Sequence, residues 1–499
     1  MRPETRMRYI CAEDSVVNVL RTQQTATSFG IGNIASAPMA VSAFLLPPAK
    51  IRYNNNVTVD PKLDGSWNMD GKKFSGPAPG AANIGFGLLV VGGRREPNPY
   101  ERDIIQTFLT NLIRDAKNAG ITLTLMGRPL ECAGRNDKIA TTLEVMKSAR
   151  LVVAVMMDDD CYGDIKLVAD KMGLPTQCCK FKKVEMMPRG YGQNLMLKIN
   201  TKLGGINHTL VSRLPKPPTA PVFQQPPASL SWLFDKPCML VGIDVSHGET
   251  SSSMESVAAV VASMDGSCAQ YAAHISVQTA GQEIVASLEA SMLSLLTTFR
   301  SRNSGMMPSC IIVYRDGVGE GQFSQVTGSE LSAIRGAVEL MGFTEDAVKI
   351  SIVICQKGHH TRLVYEDSTP GVPMTFINPC PGLCVDASGG ANSISSGHLN
   401  EFYLNSHVAI QGTAKPCKYT LVHDEIGFKI SELELMTYWL TYLYCRANKS
   451  VSYASPAYYA HWASKRGKSL CAAGGSPADL LQISQKWGEA NRQSPMFFI

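Results

Sequence analysis

Two aspartates, each at the end of an apolar run, are the residues of this chain best placed to do chemistry. The run at residues 238–243 leads into Asp244, and the run at residues 310–313 leads through Tyr-Arg into Asp316. Each pattern predicts a buried strand that delivers one carboxylate to its carboxyl end, where open α/β sheets place their functional groups. Two carboxylates brought together in this way could hold the divalent metal ions required for two-metal hydrolysis of a phosphodiester.

The order of elements around the two aspartates predicts a mixed sheet. The pattern predicts strands over residues 238–245, 257–264, 271–278, 309–315 and 348–355, with helices over 283–302, 329–342 and 430–446 and a last helix from Pro456. Short turns join the first three strands, which favours an antiparallel meander, whereas the last two follow helices and are expected to be parallel. This is the order of ribonuclease H, in which the first and fourth strands are neighbours, so Asp244 and Asp316 would meet.

The chain before residue 212 predicts a second α/β unit. Strands are expected over residues 84–92, 121–127, 150–157 and 176–181, alternating with helices over 99–120, 137–149 and 162–172. Strands and helices that alternate with short joints are typical of a doubly wound, Rossmann-like domain. Residues 1–80 are rich in Gly, Asn and Pro and are expected to be an irregular linker or the tail of a domain that is otherwise missing. Six prolines between residues 213 and 236 predict a second linker or an extended edge.

Composition narrows the class of protein. With 499 residues, 44% apolar and 18% charged, the chain is long enough for two or three globular domains. No apolar run reaches the length of a membrane span, and the N-terminus lacks the apolar segment of a signal peptide, so no membrane partner is expected. The fourteen cysteines form no CxxC pair and are expected to be reduced, buried thiols of an intracellular protein.

One segment concentrates positive charge. Residues 180–202 carry six basic side chains and one acidic side chain, so their net charge equals the +5 of the whole chain. A cluster of this kind suits phosphate or nucleic acid. A solvated basic helix face explains the same charge pattern equally well at this point.

Seven segments in order resemble the eukaryotic Argonaute family. The segments are LKINTKLGGIN (197–207), PVFQQP (221–226), GIDVSH (242–247), YRDGVGEGQF (314–323), QKGHHTRL (356–363), AIQGT (409–413) and SPAYYAHWASKR (455–466). The resemblance covers roughly residues 30–499. It implies a C-terminal lobe without the N-terminal and PAZ domains: a linker over 1–80, a Rossmann-like MID domain over 81–212, a Pro-rich linker over 213–236 and a ribonuclease H-like PIWI domain over 237–499.

The resemblance assigns four residues to catalysis: Asp244, Glu283, Asp316 and His461. Asp244, Asp316 and His461 would bind Mg²⁺, with Mn²⁺ as an alternative, and water would attack one target phosphodiester to leave a 3′-hydroxyl and a 5′-phosphate. Two alternatives stay open from the residues alone. Glu283 lies where a helix is expected to begin, so the helix dipole could account for an acid there. Glu320 is a rival for the fourth carboxylate because it follows Asp316 closely.

A second set of residues would bind the 5′-phosphate and first base of a guide strand. Tyr162 and Lys166 are four apart near a helix N-terminus, which can bind an anion. By resemblance the set is Tyr162, Lys166, Gln177, Lys198, Lys202 and Arg466, with His360 and Arg362 on the guide backbone and the Ile499 carboxylate near the pocket. Three positions depart from the family pattern. The acidic loop at residues 157–161 leaves the preference for the first guide base open. Gly358 in place of a basic residue removes one expected phosphate contact, and Ala414 in place of a hydroxyl residue leaves another contact open.

The resemblance therefore implies a guide-RNA-binding protein of RNA silencing that cleaves complementary target RNA. Its partners would be a small guide RNA with a 5′-phosphate, a target RNA and silencing effector proteins, in the cytoplasm or alternatively the nucleus. Whether this lobe cleaves without the two other domains is open. The alternative function is a guide-loaded protein that recruits partners without cleaving. A nucleotide-dependent α/β enzyme is disfavoured, because neither a P-loop nor a GxGxxG follows a strand.

Overall fold

The described part of the chain covers most of both predicted α/β units. The computed structural model describes residues 1–12, 15, 28, 38–92, 97–134, 136–211, 230, 232–233, 237–248, 255–367, 375–386, 400–489 and 496–499. The PVFQQP segment and most of the linker predicted over 213–236 lie outside the described residues. The proposed domain boundaries at residues 80, 212 and 236 stay a prediction.

A five-stranded sheet forms the first α/β unit, and its paired strands are parallel. Its strands are Ile84–Gly92, Leu123–Leu125, Leu130–Ala133, Leu151–Met156 and Thr176–Lys180. Its helices are Pro99–Ala119, Asn136–Val145, Tyr162–Met172, Phe181–Met186 and Tyr191–Lys202. Along the first strand, Leu88 and Val90 pack into one hydrophobic cluster while Leu89 and Val91 pack into another. Both faces of the sheet are therefore covered, as expected of parallel strands, and the doubly wound prediction is confirmed.

A nine-stranded mixed sheet forms the second unit. Its strands, in spatial order, are Phe44–Leu45, Leu383–Asp386, Glu401–Asn405, Cys417–Asp424, Lys349–Gln356, Cys310–Asp316, Cys238–Ser246, Ser256–Ser263 and Tyr271–Gln278. We call Cys238–Ser246 the Asp244 strand and Cys310–Asp316 the Asp316 strand. These two strands are parallel neighbours, and the Asp244 strand begins an antiparallel meander. The predicted ribonuclease H order is confirmed.

Helices cover both faces of the large sheet. Leu288–Arg302 and Leu331–Leu340 lie on one face, and Ile430–Leu440, Ser455–Ala472 and Pro477–Gly488 contribute to the core on the other. Ser455–Ala472 is called the His461 helix below. The expectation that this is the last helix was wrong, because Ser476 caps a further helix at Pro477. Among the described helices, none combines the length and apolar character needed to cross a bilayer.

Part of the N-terminal segment is ordered by the rest of the molecule. Phe44–Leu45 pairs with Leu383–Cys384 at the edge of the large sheet, and Ile51–Arg52 pairs with both Thr58–Val59 and Thr209–Leu210. A helix spans Pro3–Cys11. The remaining described strands, Tyr365–Asp367 and Thr375–Ile377, form a separate antiparallel pair. The strands Phe44–Leu45 and Ile51–Arg52 therefore join the N-terminal segment to both α/β units.

Two cysteines occupy the starts of the two aspartate-bearing strands. Cys238 and Cys310 are paired in the parallel register and form a disulfide. The expectation that all cysteines are reduced was wrong for this pair. The other twelve cysteines are free thiols. The disulfide joins the ends of the two strands that lie farthest from their aspartates.

One buried carboxyl group of the large unit holds a proton at neutral pH. Glu434, on the helix Ile430–Leu440, is fully buried beside the side chains of Asp386 and Cys384. Burial, and then the negative charge of Asp386, raise the pKa of Glu434 to about 9. The folded protein therefore retains a proton here that the unfolded chain releases above pH 4.5.

Glu434→Gln is expected to raise the free energy of unfolding at pH 8 by about 1–3 kcal/mol, since the amide keeps the shape without an ionisable group. In the wild type this group lowers stability as pH rises from 4.5 towards about 9, because only the unfolded state loses the proton. Urea unfolding at pH 5 and pH 8 measures the difference. Glu185→Gln, at an exposed position, is the control. An equal effect of Glu434→Gln at both pH values would contradict the prediction.

Candidate functional site

The two predicted aspartates are neighbours in the sheet. The parallel register pairs Ile243 with Arg315, so Asp244 and Asp316 follow side by side. Burial, and then the negative charge of Asp244, raise the pKa of Asp316 to about 6. Two carboxylates that oppose each other's ionisation in this way form a site that favours a cation.

His461 reaches this pair because its helix lies directly on the Asp244 strand. A Cβ atom at Gly242 would lie 2.0 Å from the carbonyl oxygen of Pro456, so only glycine permits this approach. The His461 Nδ1 atom lies 3.5 Å from Asp244 Oδ2, and Ser464 Oγ donates to the same oxygen at 2.5 Å. Burial raises the pKa of Asp244, but the contacts with His461 and Ser464 outweigh it, so the net pKa is lowered. Asp244 is thus the carboxylate of the pair that stays ionised most easily.

Glu283 lies in a loop and not at the start of a helix. The predicted helix over 283–302 begins five residues later, at Leu288, so the helix-dipole explanation does not apply. Glu283 Oε1 accepts from Arg315 Nη1 at 3.1 Å, and Glu283 Oε2 is 2.8 Å from His247 Nε2. These contacts hold both oxygens of the carboxylate.

Gly317 leaves room for the carboxylates to converge. Its φ of 87° lies in the left-handed region, and a Cβ there would lie 3.3 Å from Glu283 Oε1 and 3.9 Å from Asp244 Oδ1. Both oxygens therefore border the same small space beside Asp316. The rival carboxylate, Glu320, points elsewhere and accepts a 2.7 Å hydrogen bond from Lys418.

The donor set fits Mg²⁺ held jointly by protein and substrate. Among the described residues, no group of three or more His, Cys, Asp or Glu side chains is arranged to hold a metal ion by itself. Mg²⁺ in phosphate-processing sites is typically bound by one or two carboxylates, with water and phosphate oxygens completing the shell. Asp244 and Asp316 supply that number, and their mutual repulsion is what a bound cation would relieve. His461 lies at the side of the pair as a further donor.

A second cluster gathers buried cations around Thr176. The Lys166 ammonium donates to the Thr176 carbonyl at 2.8 Å, and the Lys202 ammonium donates to that carbonyl at 3.1 Å and to Gln177 Oε1 at 2.9 Å. Both lysines are at most 3% exposed. Burial, followed by the charges of Lys166, Arg466 and Lys198, puts the pKa of Lys202 well below its usual value. Like charges packed this closely favour an anionic ligand.

Arg466 enters this cluster from the His461 helix, five residues beyond His461. Its guanidinium pairs with Asp170 at 2.8 Å, with both side chains about 2% exposed, and lies 5.8 Å from the centroid of the Tyr162 ring. The Lys166 ammonium is also 5.8 Å from that centroid. We call Asp244, Asp316, Glu283 and His461 the carboxylate site, and Tyr162, Lys166, Gln177, Lys202 and Arg466 the cationic cluster. One helix, the His461 helix, therefore connects the two.

A cavity of about 320 Å³ lies between the helix Tyr191–Lys202 and Trp462 of the His461 helix. It is lined by Lys198, Tyr191, Asn194, Leu195, Tyr444, Arg446 and Trp462. The Arg446 guanidinium lies 4.0 Å above the Trp462 ring, an arrangement that stabilises a cation beside an aromatic face. Burial, and then the charge of Arg446, lower the pKa of Lys198. The cavity therefore presents two cations and several aromatic rings.

The Piwi domain family model matches residues 151–471, which is more than half of the chain and includes both sites. The chain belongs to the Argonaute family. Its fold is similar to the C-terminal lobe of a budding yeast Argonaute, with 22% identity, a TM-score of 0.78, and coverage of 92% of this chain and 95% of that one. This Argonaute therefore corresponds in extent to that lobe.

Two further structures show the same fold. Kluyveromyces polysporus Argonaute with a guide RNA is 22% identical, with a TM-score of 0.79, over 96% of this chain and 59% of that chain. The MID-PIWI domains of N. crassa QDE-2 are 21% identical, with a TM-score of 0.54, over 86% of this chain and 100% of that one. This Argonaute thus spans about three fifths of the length of the Kluyveromyces protein.

The predicted backbone-binding residues of this Argonaute occupy a loop that contacts Pro416, three residues after the AIQGT segment. Arg362 Nη1 donates to the carbonyl oxygens of His359 and Thr361, and His359 Nε2 lies 3.0 Å from the Pro416 carbonyl. His360 is exposed. These contacts fix the loop and leave His360 accessible, and the roles of His360 and Arg362 stay predictions.

Some residues of the cationic cluster were not foreseen. Asp170 follows Tyr162 and Lys166 at the same four-residue interval, so helical spacing alone could have indicated it. Arg446 and Trp462 gave no such signal, because their pairing depends on the tertiary fold. The C-terminal residues 496–499 are buried, and Phe497 stacks on Trp487, whose Nε1 donates to the Asp170 carbonyl. The apolar C-terminal residues are therefore packed into the protein, and the position of the Ile499 carboxylate stays a prediction.

Proposed function

We propose that this Argonaute binds a small guide RNA by its 5′-phosphate and cleaves a complementary target RNA at the carboxylate site. One observation carries the proposal. The His461 helix places Arg466 in a buried cationic cluster and His461 beside a buried pair of carboxylates. The two sites suit the two needs of guided cleavage, since one holds a phosphate and the other favours cations at a phosphodiester.

The guide's 5′-phosphate is bound by lysines that are already oriented. The Lys166 and Lys202 ammonium groups are fixed through Thr176, and each ammonium carries three donors, so donors remain for phosphate oxygens. Arg466 is held in place by Asp170. The first base stacks on Tyr162, a contact worth about 1–3 kcal/mol.

Cleavage uses the carboxylates of the sheet. Asp244, with its lowered pKa, stays charged, and Glu283 is aimed at the same space by Arg315 and His247. Mg²⁺, when bound by Asp244, Asp316 and His461, would supply the charge that stabilises the attacking and leaving oxygens. Asp244 and Asp316 orient that charge towards the scissile phosphate, and the products carry a 3′-hydroxyl and a 5′-phosphate.

The test is a single-turnover assay with a 5′-phosphorylated guide RNA, a matched target and Mg²⁺. We expect one cut at a fixed distance from the guide's 5′ end, because the cationic cluster anchors that end. A target with scrambled sequence is the control and stays intact. Tight guide and target binding without any cut would contradict the nuclease assignment and support the alternative of a silencing protein that recruits partners.

A further inference from the structure

The Arg315 side chain joins two glutamates beside the carboxylate site. The guanidinium is fully buried, and its Nε donates to Glu330 Oε1 and Oε2 at 3.2 and 3.1 Å. Its Nη1 donates to the Glu283 carboxylate at 3.1 Å, and its Nη2 donates to the Glu283 carbonyl at 2.7 Å. The same cation is therefore bound on one side by Glu330 and on the other by both the side chain and the backbone of Glu283.

Glu330 sits at an irregular point of its helix. Residues Val326–Glu330 form a π-helical turn immediately before the helix Leu331–Leu340. Such wide turns are rare within helices and occur frequently at functional sites. This turn ends on Glu330, which is 2% exposed and contacts the loop that carries Glu283. The backbone irregularity thus coincides with the residue that holds Arg315.

Glu330 also holds the backbone of the Glu283 loop. The Val285 amide donates to Glu330 Oε1 at 3.3 Å. Other contacts hold the two ends of the loop: Ser256 Oγ accepts from the Gly281 amide, and the Gln278 side chain donates to the Gln282 carbonyl and accepts from the Ala286 amide. Loss of Glu330 would therefore leave the loop attached at its ends and through His247, but would remove the Val285 contact and the glutamate that fixes Arg315 against Glu283.

We propose that Glu330 is a positioning residue that aims Glu283 at Asp244 and Asp316 through Arg315 and the Val285 amide. The inference rests on the proposed function, in which Glu283 takes part in cleavage. Glu330 itself does not border the space between the carboxylates. Its effect on cleavage therefore passes through Glu283, so the effects of substituting Glu330 and Glu283 are expected to be non-additive.

A double-mutant cycle tests this coupling. Glu330→Gln keeps the size of the side chain but places an NH₂ group against the donors of Arg315. We expect target cleavage at saturating guide to slow by about 10- to 100-fold, with guide affinity unchanged. In a Glu283→Gln background the same substitution should add less than about twofold. Equal losses in both backgrounds would show a general structural role and overturn the proposal. Glu339→Gln, exposed on the adjoining helix, is the control.

Hydrogen exchange gives a second readout that needs no activity. In Glu330→Gln the Val285 amide and its neighbours in residues 282–286 should exchange faster, while the strand Tyr271–Gln278 exchanges as in the wild type. Unchanged exchange at Val285 would overturn the proposal. If the wild type does not cleave, the proposed function fails, and exchange alone decides whether Glu330 holds the loop.

A second variant covers the case in which Glu330→Gln does not fold. The double variant Arg315→Met, Glu330→Met replaces the buried ion pair by apolar side chains, a change that proteins often tolerate. We expect it to fold and bind guide, to cleave about 10- to 100-fold more slowly, and to show fast exchange at Val285. Slow exchange with normal cleavage would overturn the proposal.

Discussion

Replacing Asp316 by alanine is expected to slow target cleavage by about 10³-fold or more while guide affinity changes less than about twofold. The substitution removes one of the two neighbouring carboxylates that favour a cation at the scissile phosphate. The cationic cluster lies elsewhere along the His461 helix and keeps its residues. Cleavage rates at saturating guide and equilibrium binding of labelled guide measure the two effects separately.

The fold should tolerate this change well. The folded state raises the pKa of Asp316 to about 6, from 3.8, through burial and the charge of Asp244. At pH 7 the charge on Asp316 therefore destabilises the folded protein, and its removal should leave stability unchanged or higher. Asp346→Ala, at an exposed position in the 3₁₀ helix Glu345–Ala347, is the matched control and should cleave normally. Joint loss of cleavage and guide binding in Asp316→Ala would show that Asp316 is structural, and normal cleavage would place the nuclease site elsewhere.

The wild type is expected to bind a 5′-phosphorylated RNA about 10²-fold or more tightly than the same RNA with a 5′-hydroxyl, and Lys198→Ala should weaken that preference about tenfold. Hydrogen bonds between charged groups contribute about 1.5–3 kcal/mol each, and several cations converge on this pocket. Lys198 is the best position to truncate, because it lines the cavity beside Arg446 and is only partly buried. Lys166 and Lys202 hold the strand at Thr176, so their loss would also disturb the fold.

The control must remove the same charge without touching the pocket. Lys182 belongs to the same basic segment and is exposed, so Lys182→Ala matches the change in net charge. This variant should weaken the binding of both RNAs slightly and equally, since the contribution of the Lys182 charge is long-range and screened by salt. Affinities are compared by titration at one salt concentration. Equal affinity of the wild type for the two RNAs would contradict the guide-anchoring assignment whatever the carboxylate site does.

The meeting of Asp244 and Asp316 could be predicted from sequence because it depends on strand order. Strand order follows from which strands are joined by turns and which by helices, and both are visible as patterns. The Rossmann-like unit was predictable for the same reason. The strand Ile84–Gly92 and the helix Tyr162–Met172 begin and end as their patterns indicate.

The environment of Glu283 could not be predicted, because long-range contacts determine it. Apolar residues after Glu283 continue a helical pattern, yet Arg315 and Glu330 bind the backbone there and delay the helix to Leu288. The disulfide between Cys238 and Cys310 was not predicted for a similar reason, since its two cysteines are 72 positions apart in the sequence. Phe44–Leu45 is too short to show a strand pattern, and its partner Leu383–Cys384 lies far along the chain.

The close contact between Gly242 and Pro456 has a consequence for how family members are compared. Within GIDVSH, Gly242 is required for the helix to approach the strand, whereas Asp244 is the residue placed for chemistry. A relative that has lost cleavage but still binds guides needs the glycine and not the aspartate. Within this one motif, we therefore expect glycine to be retained at position 242 in every lineage, whereas the aspartate at position 244 can be replaced in lineages that no longer cleave.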